Sequence, residues 1–413
     1  MSEQVRITDV IVAGGGPAGL SAALAIGQTG ASVTVVDPQA DPKADRRTSA
    51  LMVASITMLK TLGIWADCIA EAAPLKHLRI IDDTGRLMRA PTVEFSAEEI
   101  GEEAFGWNVP NSVIVSTLRE RIAETPSVSL ITGSVERLDI YDDIAEAELL
   151  DGTVLAAPLV VAADGRHSLC RAAAGIDVDT WSYDQAATVV NLKHQKPHGF
   201  VSTEFHRPAG PFTLVPLPGN RSSLVWSEPR KLADAVADFD DDSLAREIEQ
   251  ISHRILGKVE IDGPRGLYPL SGLVPRRFAA NRVALVGESA HVVPPIGAQG
   301  LNLGLRDAAA IAEVVEDSRG DGEDPGADRA CKAYDAARRV DVLARAGAID
   351  ILNRTLLAGF LPAQTIRAAG LSALSGFGPL RRFAMREGVA PRYRLPRLMR
   401  PAEDRFRDAA ADI

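Results

Sequence analysis

The chain has few cysteines, few aromatic residues and no excess of basic residues. Its three cysteines, Cys68, Cys170 and Cys331, lie far apart among 413 residues, which fits neither a disulfide framework nor the spacing of metal ligands. The formal net charge of −10 argues against a nucleic-acid partner, because phosphate binding draws on a basic excess. We therefore expect a soluble enzyme in a reducing cytoplasm.

A membrane-spanning segment is not expected either. Residues 10–36 contain no charge and are long enough to cross a bilayer, but glycines and a proline near their start would break a membrane helix. Glu3 and Asp9 also argue against the basic leader of a signal peptide. The run divides more naturally into strand, turn, helix and strand.

This division predicts a βαβ unit that binds a dinucleotide. Strands are expected at residues 8–13 and 31–36, with a helix at 17–29. The turn between the first strand and the helix matches G-x-G-x-x-G, a pattern that admits a pyrophosphate and lets the helix pack closely. The predicted contacts are Gly14, Gly16, Pro17, Ala18 and Gly19, with Asp37 on a ribose. The motif alone does not separate FAD from NAD.

A second stretch, residues 281–307, moves from a buried strand through a Gly/Pro-rich turn into a helix. The prolines of the turn prevent helix there, and its glycines let a planar ligand approach the backbone. The N-terminus of the following helix would stabilise an anionic ring edge or a phosphate. The predicted backbone contacts of this turn are Gly297, Ala298 and Gly300.

A third motif places Asp164 and Gly165 after an apolar strand, where open α/β sheets bind ligands. Three motifs in this order favour FAD over NAD, because a bare NAD domain would not need the second and third. Together they resemble the fingerprints of the FAD-dependent aromatic hydroxylases, the class A flavoprotein monooxygenases. The family pattern G-D-A-A-H, P-x-x-G-Q-G-x-N and R-D is matched with departures at Glu288, Ser289 and Ala298.

The resemblance implies further FAD contacts at Gly287, Glu288, Pro295, Gln299, Leu301, Asn302, Arg47, Asn111 and Val135. Arg47 would lie near the phosphates at the start of a helix ending near residue 63, Asn111 at the flavin's linker, and Val135 at the adenine through its backbone. Two alternatives stay open: Arg47 as a solvated arginine at a helix start, and Asn111 as a helix N-cap.

Residues 181–277 alternate with period two and predict an antiparallel sheet, interrupted by one helix at 234–257. Its Val, Leu, Phe and Trp would form an apolar inner face against the flavin. A hairpin is expected at residues 76–93, a strand or hairpin at 128–140, and C-terminal helices at 328–358, at 363–374 and from Pro379. Four histidines show no metal spacing, so no metal site is predicted: His194, His198, His206 and His253.

The predicted fold is α/β, with a Rossmann-type FAD-binding domain, an inserted antiparallel-sheet substrate domain and a helical C-terminal region, similar to para-hydroxybenzoate hydroxylase. The FAD-binding domain would comprise residues 1–75, 101–178 and 278–330, and the substrate domain residues 76–100 and 179–277. C-terminal helices and a tail would occupy residues 331–413. The basic tail, with Arg392, Arg394, Arg397 and Arg400, suits either an anionic membrane surface or solvent.

Residues 210–227 and the spacing of Tyr334, Arg338 and Asp341 resemble the ubiquinone-biosynthesis branch of these hydroxylases. The resemblance implies that NAD(P)H reduces FAD, that O2 adds at flavin C4a, and that the hydroperoxide hydroxylates an aromatic ring, here a lipid-soluble polyprenylated phenol. It assigns no catalytic side chain. Two other functions stay open: an FAD-dependent reductase or dehydrogenase of an apolar substrate, and a non-catalytic flavin-bound scaffold in a quinone-biosynthesis complex.

Overall fold

The computed structural model describes residues 5–38, 45, 47–85, 90–357, 377–389 and 395–403. The helix predicted at residues 363–374 and two arginines of the basic tail, Arg392 and Arg394, lie outside these ranges. No helix within the ranges is both long and apolar enough to cross a membrane.

The strands are β1 (Arg6–Ile7), β2 (Val10–Ala13), β3 (Val33–Asp37), β4 (Thr48–Met52), β5 (Ala73–Pro74), β6 (His77–Asp82), β7 (Val93–Ser96), β8 (Gly106–Pro110), β9 (Val128–Thr132), β10 (Val135–Ile140), β11 (Ala145–Leu149), β12 (Val154–Ala157), β13 (Leu159–Ala162), β14 (Val178–His194), β15 (Val201–Arg207), β16 (Gly210–Leu217), β17 (Arg221–Pro229), β18 (Val259–Ile261), β19 (Gly266–Pro275), β20 (Ala279–Ala280) and β21 (Val283–Leu285). The α-helices are α1 (Pro17–Gly27), α2 (Val53–Thr61), α3 (Trp65–Cys68), α4 (Asn111–Ala123), α5 (Leu169–Ala173), α6 (Arg230–Ala237), α7 (Asp241–Ile251), α8 (Gln299–Gly320), α9 (Asp328–Leu357) and α10 (Gly378–Val389).

A six-stranded sheet in the order β20-β21-β13-β2-β3-β9 forms the first half of the molecule. All its neighbouring strands are parallel except β20 and β21. Strands β2, β3, β13 and β21 are buried along their whole length, as expected for a parallel sheet whose two faces are both covered. Helices α1 and α8 pack against each other beside this sheet.

An eight-stranded sheet forms the second half, in the order β18-β14-β17-β16-β15-β6-β7, with β19 paired to β14. It is antiparallel except where β6 lies parallel to β15. One face packs on α6 and α7 and buries an aromatic cluster of Phe205, Phe212 and Trp226, with ring centroids of neighbouring members 5.6 to 5.8 Å apart. The other face lines a cavity against the first half.

Two smaller sheets are also present among the described residues. Strands β4, β8 and β5 form a three-stranded sheet, and β1, β12, β11 and β10 a four-stranded one. Short 3-10 turns follow at Ile69–Glu71, Ala97–Ile100, Gly287–Ser289 and Arg397–Met399.

The boundaries of two predicted elements differ from those in the structure. The helix predicted from Arg47 starts only at Val53, because residues 48–52 pair with β8 as a strand. The hairpin predicted at residues 76–93 returns through β7, where His77 pairs with Ser96, so the return strand lies later in the chain than expected.

Two other predicted elements are divided. The single helix predicted at residues 234–257 is the pair α6 and α7, because the side chain of Asp240 accepts a hydrogen bond from the Ser243 amide and begins a new helix. Residues 128–140 form β9 and β10, which belong to different sheets, so they are two strands and not a hairpin.

Candidate active site

A cavity of about 750 Å³ lies between the six-stranded and eight-stranded sheets. Most of the predicted site residues line it: Gly16, Pro17, Ala18, Gly19, Arg47, Asn111, Gly165, Gly287, Glu288, Pro295, Gly297, Ala298, Gln299, Gly300 and Leu301. We call this set the flavin cradle. Residues distant in sequence meet here because turns at the carboxyl ends of the parallel strands open on the same edge of the sheet.

Two helix N-termini open on the cavity. Helix α1 begins after Gly16 and helix α8 after Ala298. Neither N-cap residue has a side chain that could accept a hydrogen bond from the first turn of its helix. Free N–H groups and positive dipole ends therefore face the cavity at two points, which suits the pyrophosphate and the anionic ring edge of one flavin dinucleotide. A Cβ added at Gly16 would meet nothing within 4 Å, so the turn leaves room for a phosphate.

Asp164 supplies a second indication of a bound polar group. Its Oδ2 accepts a hydrogen bond of 3.1 Å from the Cys170 amide, whereas its Oδ1 is buried and has no hydrogen-bond partner among the described residues. An unpaired buried acceptor costs free energy, so a ligand that donates to it is favoured. The residues present therefore fit FAD, although Asp164 itself lies just behind the cavity lining.

Four other predicted contacts also lie outside the lining: Gly14, Asp37, Val135 and Asn302. Gly14 adopts φ +111° and approaches Ala163 so closely that a Cβ would fall 2.2 Å from its carbonyl oxygen. Asp37 is buried and paired with Arg119. Gly15 was not predicted as a site residue, but a Cβ there would fall 2.1 Å from the Asp37 carboxylate. Val135 begins β10 and packs against the main core.

Asn302 ties the start of α8 to the neighbouring small sheet. Its Nδ2 donates to the carbonyl oxygens of Ala50 and Ala298, at 2.8 and 2.6 Å. Its Oδ1 accepts from the Met52 amide at 2.9 Å and the Ser55 hydroxyl at 2.7 Å. Asn302 therefore fixes the wall of the cavity from behind.

A polar cluster around Arg47 borders the other side of the cradle. Arg47 donates from Nε and Nη2 to Asp45, at 2.9 and 2.8 Å, and lies 5.8 Å from the centroid of the Tyr268 ring. The hydrogen bond to Asp45 raises the pKa of Arg47, and although burial opposes ionisation of Asp45, Arg47 lowers the pKa of that carboxyl overall. Arg47 precedes the strand β4 and not a helix, and its side chain is 46% exposed, so the alternative of a solvated arginine stays open.

Asn111 joins the same cluster. Its Nδ2 donates to Asp45 at 3.0 Å, and its Oδ1 accepts from the Ser49 hydroxyl at 2.6 Å. It is the first residue of α4, and the capping position belongs to Pro110, so the N-cap alternative is wrong.

The turn that presents Glu288 rests on a buried charged network. Gly287 adopts φ +69°, and its amide donates to Asp307 Oδ2 at 3.0 Å. The same oxygen lies 2.7 Å from His291 Nε2, and Arg338 Nε donates to Asp307 Oδ1 at 2.7 Å. Burial opposes ionisation of Asp307, but the charges of His291 and Arg338 keep its pKa below the ordinary value. Glu288 itself is exposed on the cavity.

The eight-stranded sheet contributes the opposite wall. Four apolar residues of its edge, its neighbouring loop and α10 form what we call the apolar wall: Leu78, Phe95, Phe105 and Met385. Beside it lie the polar side chains of Ser202, Glu204 and Thr213, which were not predicted from the sequence.

This wall corrects the predicted inner face of the sheet. The large aromatic residues of these strands, such as Phe212 and Trp226, pack under α6 and α7 and away from the cavity. Period-two alternation identifies two faces but does not say which one meets the ligand. Arg207 and Arg221 pair with Glu228 and Asp262, at 2.6 and 2.7 Å, and do not line the cavity.

No group of three or more His, Cys, Asp or Glu side chains within the described ranges is arranged to hold a metal ion. His194 and His198 stack edge to face at 5.7 Å, and His194 contacts Lys196 and Ser222 through its ring nitrogens. His253 contacts Asp83 at 3.1 Å.

Comparison with known proteins agrees with this geometry. A protein family described as an FAD binding domain matches residues 7–339. The ubiquinone hydroxylase UbiL of Rhodospirillum rubrum is 34% identical over 393 residues, which cover 93% of this chain and 90% of the relative. The 3-demethoxyubiquinol 3-hydroxylase of Escherichia coli is 31% identical over 386 residues, covering 92% and 97%.

Solved structures show the same fold. The p-nitrophenol 4-monooxygenase PnpA of Pseudomonas putida matches with a TM-score of 0.77 at 22% identity, over 94% of this chain and 100% of its own. The flavin-dependent brominase Bmp2 reaches the same TM-score of 0.77 at 16% identity, over 98% of each chain. Since a brominase is as similar in structure, this likeness establishes the fold and not the reaction.

Proposed function

The chain belongs to the FAD binding domain family of flavin-dependent aromatic hydroxylases, and we propose that its substrate is a polyprenylated phenol of ubiquinone biosynthesis. The observation that carries the proposal is the apolar wall, which faces the same cavity as the flavin cradle. An aromatic ring and the first part of a prenyl tail bury well against Leu78, Phe95 and Met385. Two relatives are named as a ubiquinone hydroxylase and a 3-demethoxyubiquinol 3-hydroxylase, and these names support the same substrate class.

We propose that the flavin cradle holds FAD along its length. Residues 16–19 and Arg47 would bind the pyrophosphate, and Asn111 the linker. Glu288 would bind a hydroxyl of the ribityl or ribose group, and residues 295–301 the edge of the ring. When bound and reduced by NAD(P)H, FAD activates O2 for insertion into the aromatic ring. The chain's own part is to orient the substrate, to exclude water with the apolar wall, and to place the dipole of α8 at the flavin.

The route for the tail is proposed from α10. Ala384, Met385 and Gly388 of this helix line the cavity. Phe377 directly precedes this helix and Phe383 lies on it, and these side chains are 59% and 63% exposed; we call this exposed surface the outward side of α10. A tail that leaves the cavity beside Met385 would therefore pass an exposed aromatic surface.

This outward side also supports peripheral association with a membrane. Arg382 and Arg386 are exposed on the same helix as Phe383. Exposed aromatic and basic side chains together favour binding to an anionic lipid surface. A lipid-soluble substrate would then reach the cavity directly from the bilayer. Association with a larger quinone-biosynthesis complex would use the same face.

Substrate-stimulated turnover tests the proposed substrate class. We expect ortho-prenylphenol to stimulate NADPH oxidation with formation of one hydroxylated product per NADPH, and para-hydroxybenzoate to give no coupled turnover. Burying about four CH2 groups contributes about 3 kcal/mol, so phenol without the tail should bind about a hundredfold more weakly. Equal coupled turnover with para-hydroxybenzoate would assign the protein to a carboxylated substrate.

A further inference from the structure

Glu204 is a carboxylate on the cavity face of the eight-stranded sheet. In the ladder it lies opposite Thr213 on β16 and Ile80 on β6, so its side chain shares the face of both. The side chain is only 15% exposed and lines the cavity. Predicting this position from the sequence would have required knowing which alternate residues of β15 face the ligand.

One oxygen of this carboxylate is held in place. His206, two residues along the same strand, is 5% exposed, and its Nε2 lies 2.8 Å from Glu204 Oε1. Because a carboxylate has no proton to give, the imidazole Nε2–H is the donor. Nδ1 of His206 is buried and has no hydrogen-bond partner within the described ranges. Residues two apart on a strand share a face, so His206 holds the carboxylate from the same face of the sheet, at a position that does not line the cavity.

The other oxygen is available to a ligand. Glu204 Oε2 has no hydrogen-bond partner in the described part of the chain. Of its two neighbours across the ladder, Thr213 is polar and Ile80 belongs to an apolar surface. Ile80 and Leu78 pack with Phe95, Phe105 and Met385. A carboxylate oxygen at the edge of such a surface favours a ligand with an apolar ring and one hydroxyl donor.

The same carboxylate disfavours an anionic ligand. The arginines nearest in sequence on this sheet, Arg207 and Arg221, are turned to Glu228 and Asp262 and do not reach the cavity. A ring carrying a carboxylate would therefore meet a like charge on this wall, where both arginines are paired with carboxylates and His77 lies 3.7 Å from Glu94, and like charges at short range repel.

We propose that Glu204 accepts the hydrogen bond of the substrate's ring hydroxyl, and that its charge selects neutral phenols over carboxylated ones. This assignment rests on the proposed function, because it assumes a phenol in the cavity. The hydrogen bond fixes which ring carbon faces the flavin and places electron density on the ring oxygen. His206 is the positioning residue for this contact.

Ligand binding to the FAD-loaded protein tests the assignment through the change in flavin absorbance. The variants are Glu204→Gln and, as a matched control on the same sheet, Glu260→Gln, which removes the same charge at an exposed position outside the cavity. The ligands are ortho-prenylphenol, its methyl ether and para-hydroxybenzoate.

We expect Glu204→Gln to weaken binding of ortho-prenylphenol about tenfold to a hundredfold, as for loss of a hydrogen bond to a charged group. The same substitution should leave binding of the methyl ether unchanged and strengthen binding of para-hydroxybenzoate. Glu260→Gln should not change the binding of any of the three ligands. Equal weakening of all three ligands, or no change in the preference between the phenols, would overturn the assignment.

Binding and turnover separate this assignment from the proposed function. If the parent protein binds ortho-prenylphenol through Glu204 but does not hydroxylate it, the proposed substrate is wrong and the role of Glu204 stands. If hydroxylation is coupled and Glu204→Gln retains the parent kcat/KM and preference, the proposed function stands and the role of Glu204 is wrong.

Discussion

His291 Nε2 lies 2.7 Å from Asp307 Oδ2, and both side chains are buried. These residues come from the two ends of one sequence motif, on either side of the Gly/Pro-rich turn. The same carboxylate accepts from the Gly287 amide and from Arg338 on α9. Asp307 therefore fixes the turn that carries Glu288 without itself lining the cavity.

Asp307→Asn should destabilise the protein and weaken FAD binding. The change removes the charge that offsets buried Arg338 and His291, and breaking a buried charge network costs about 3–5 kcal/mol. Asp328→Asn, at an exposed ion pair with Lys332 on α9, is the control and should change stability by less than about 1 kcal/mol. Urea unfolding and FAD titration measure both effects, and parent-like values for Asp307→Asn would contradict the role of this network.

The stability from Asp307 should depend on pH in one direction. Its folded pKa lies below the ordinary 3.8, so its contribution is present above that value and is lost as the pH falls through the folded pKa. The difference in unfolding free energy between the parent and Asp307→Asn should shrink as the pH falls below about 4. A difference that grows below this pH would contradict the expected sign.

Glu288 tests whether the longer carboxylate replaces the aspartate of the family motif. If it accepts a hydrogen bond from an FAD hydroxyl, Glu288→Asp should bind FAD as well as the parent, and Glu288→Ala should bind it about tenfold to a hundredfold more weakly. Glu136→Ala, at an exposed position on β10 outside the cavity, is the matched control. Unchanged FAD affinity in Glu288→Ala would show that this side chain does not contact the cofactor.

Ala298 holds an unusual backbone conformation, with φ +53° and ψ +35°, at the N-cap of α8. The left-handed region costs a non-glycine residue about 1–2 kcal/mol, so Ala298→Gly should be neutral or stabilising and Ala298→Val destabilising. At Ala336, exposed on the regular helix α9, the change to Gly should instead destabilise by about 1 kcal/mol. Urea unfolding of these variants, all without FAD, measures the contrast. An equal loss of unfolding free energy in Ala298→Gly and Ala336→Gly would contradict the strained conformation of Ala298.

The outward face of α10 should bind anionic membranes. Phe377→Ser combined with Phe383→Ser should reduce co-sedimentation with phosphatidylserine-containing vesicles, because both side chains are exposed beside basic residues. Leu150→Ser is the control, since Leu150 is 71% exposed but belongs to the turn between β11 and β12. Parent-like sedimentation of the double variant would exclude this face.

The sequence predicted the fold class, the flavin motifs and the FAD-dependent hydroxylase family correctly, because local patterns encode them. The strand before Gly14 and the helix after it need only periodicity and glycine positions. The side chains that the eight-stranded sheet turns to the cavity could not be predicted in this way, because they depend on long-range strand pairing. Glu204 faces the ligand because β15 lies between β16 and the parallel strand β6, and that pairing is not encoded locally.

The helix predicted from Arg47 fails for a related reason. Residues 48–52 have an apolar pattern that suits a helix, but tertiary pairing with β8 makes them a strand. Asn302 was predicted as a cofactor contact because its motif position suggested it. In the structure its hydrogen bonds reach Ala50, Met52 and Ser55, residues far away in sequence.

Incubation of the FAD-loaded protein with NADPH, ortho-prenylphenol and isotopically labelled O2 tests hydroxylation most directly. The mass of the product reports the source of the added oxygen. We predict a product that carries one labelled oxygen atom, formed in proportion to the NADPH consumed. NADPH consumption with an unlabelled or unchanged phenol would contradict hydroxylation of this substrate.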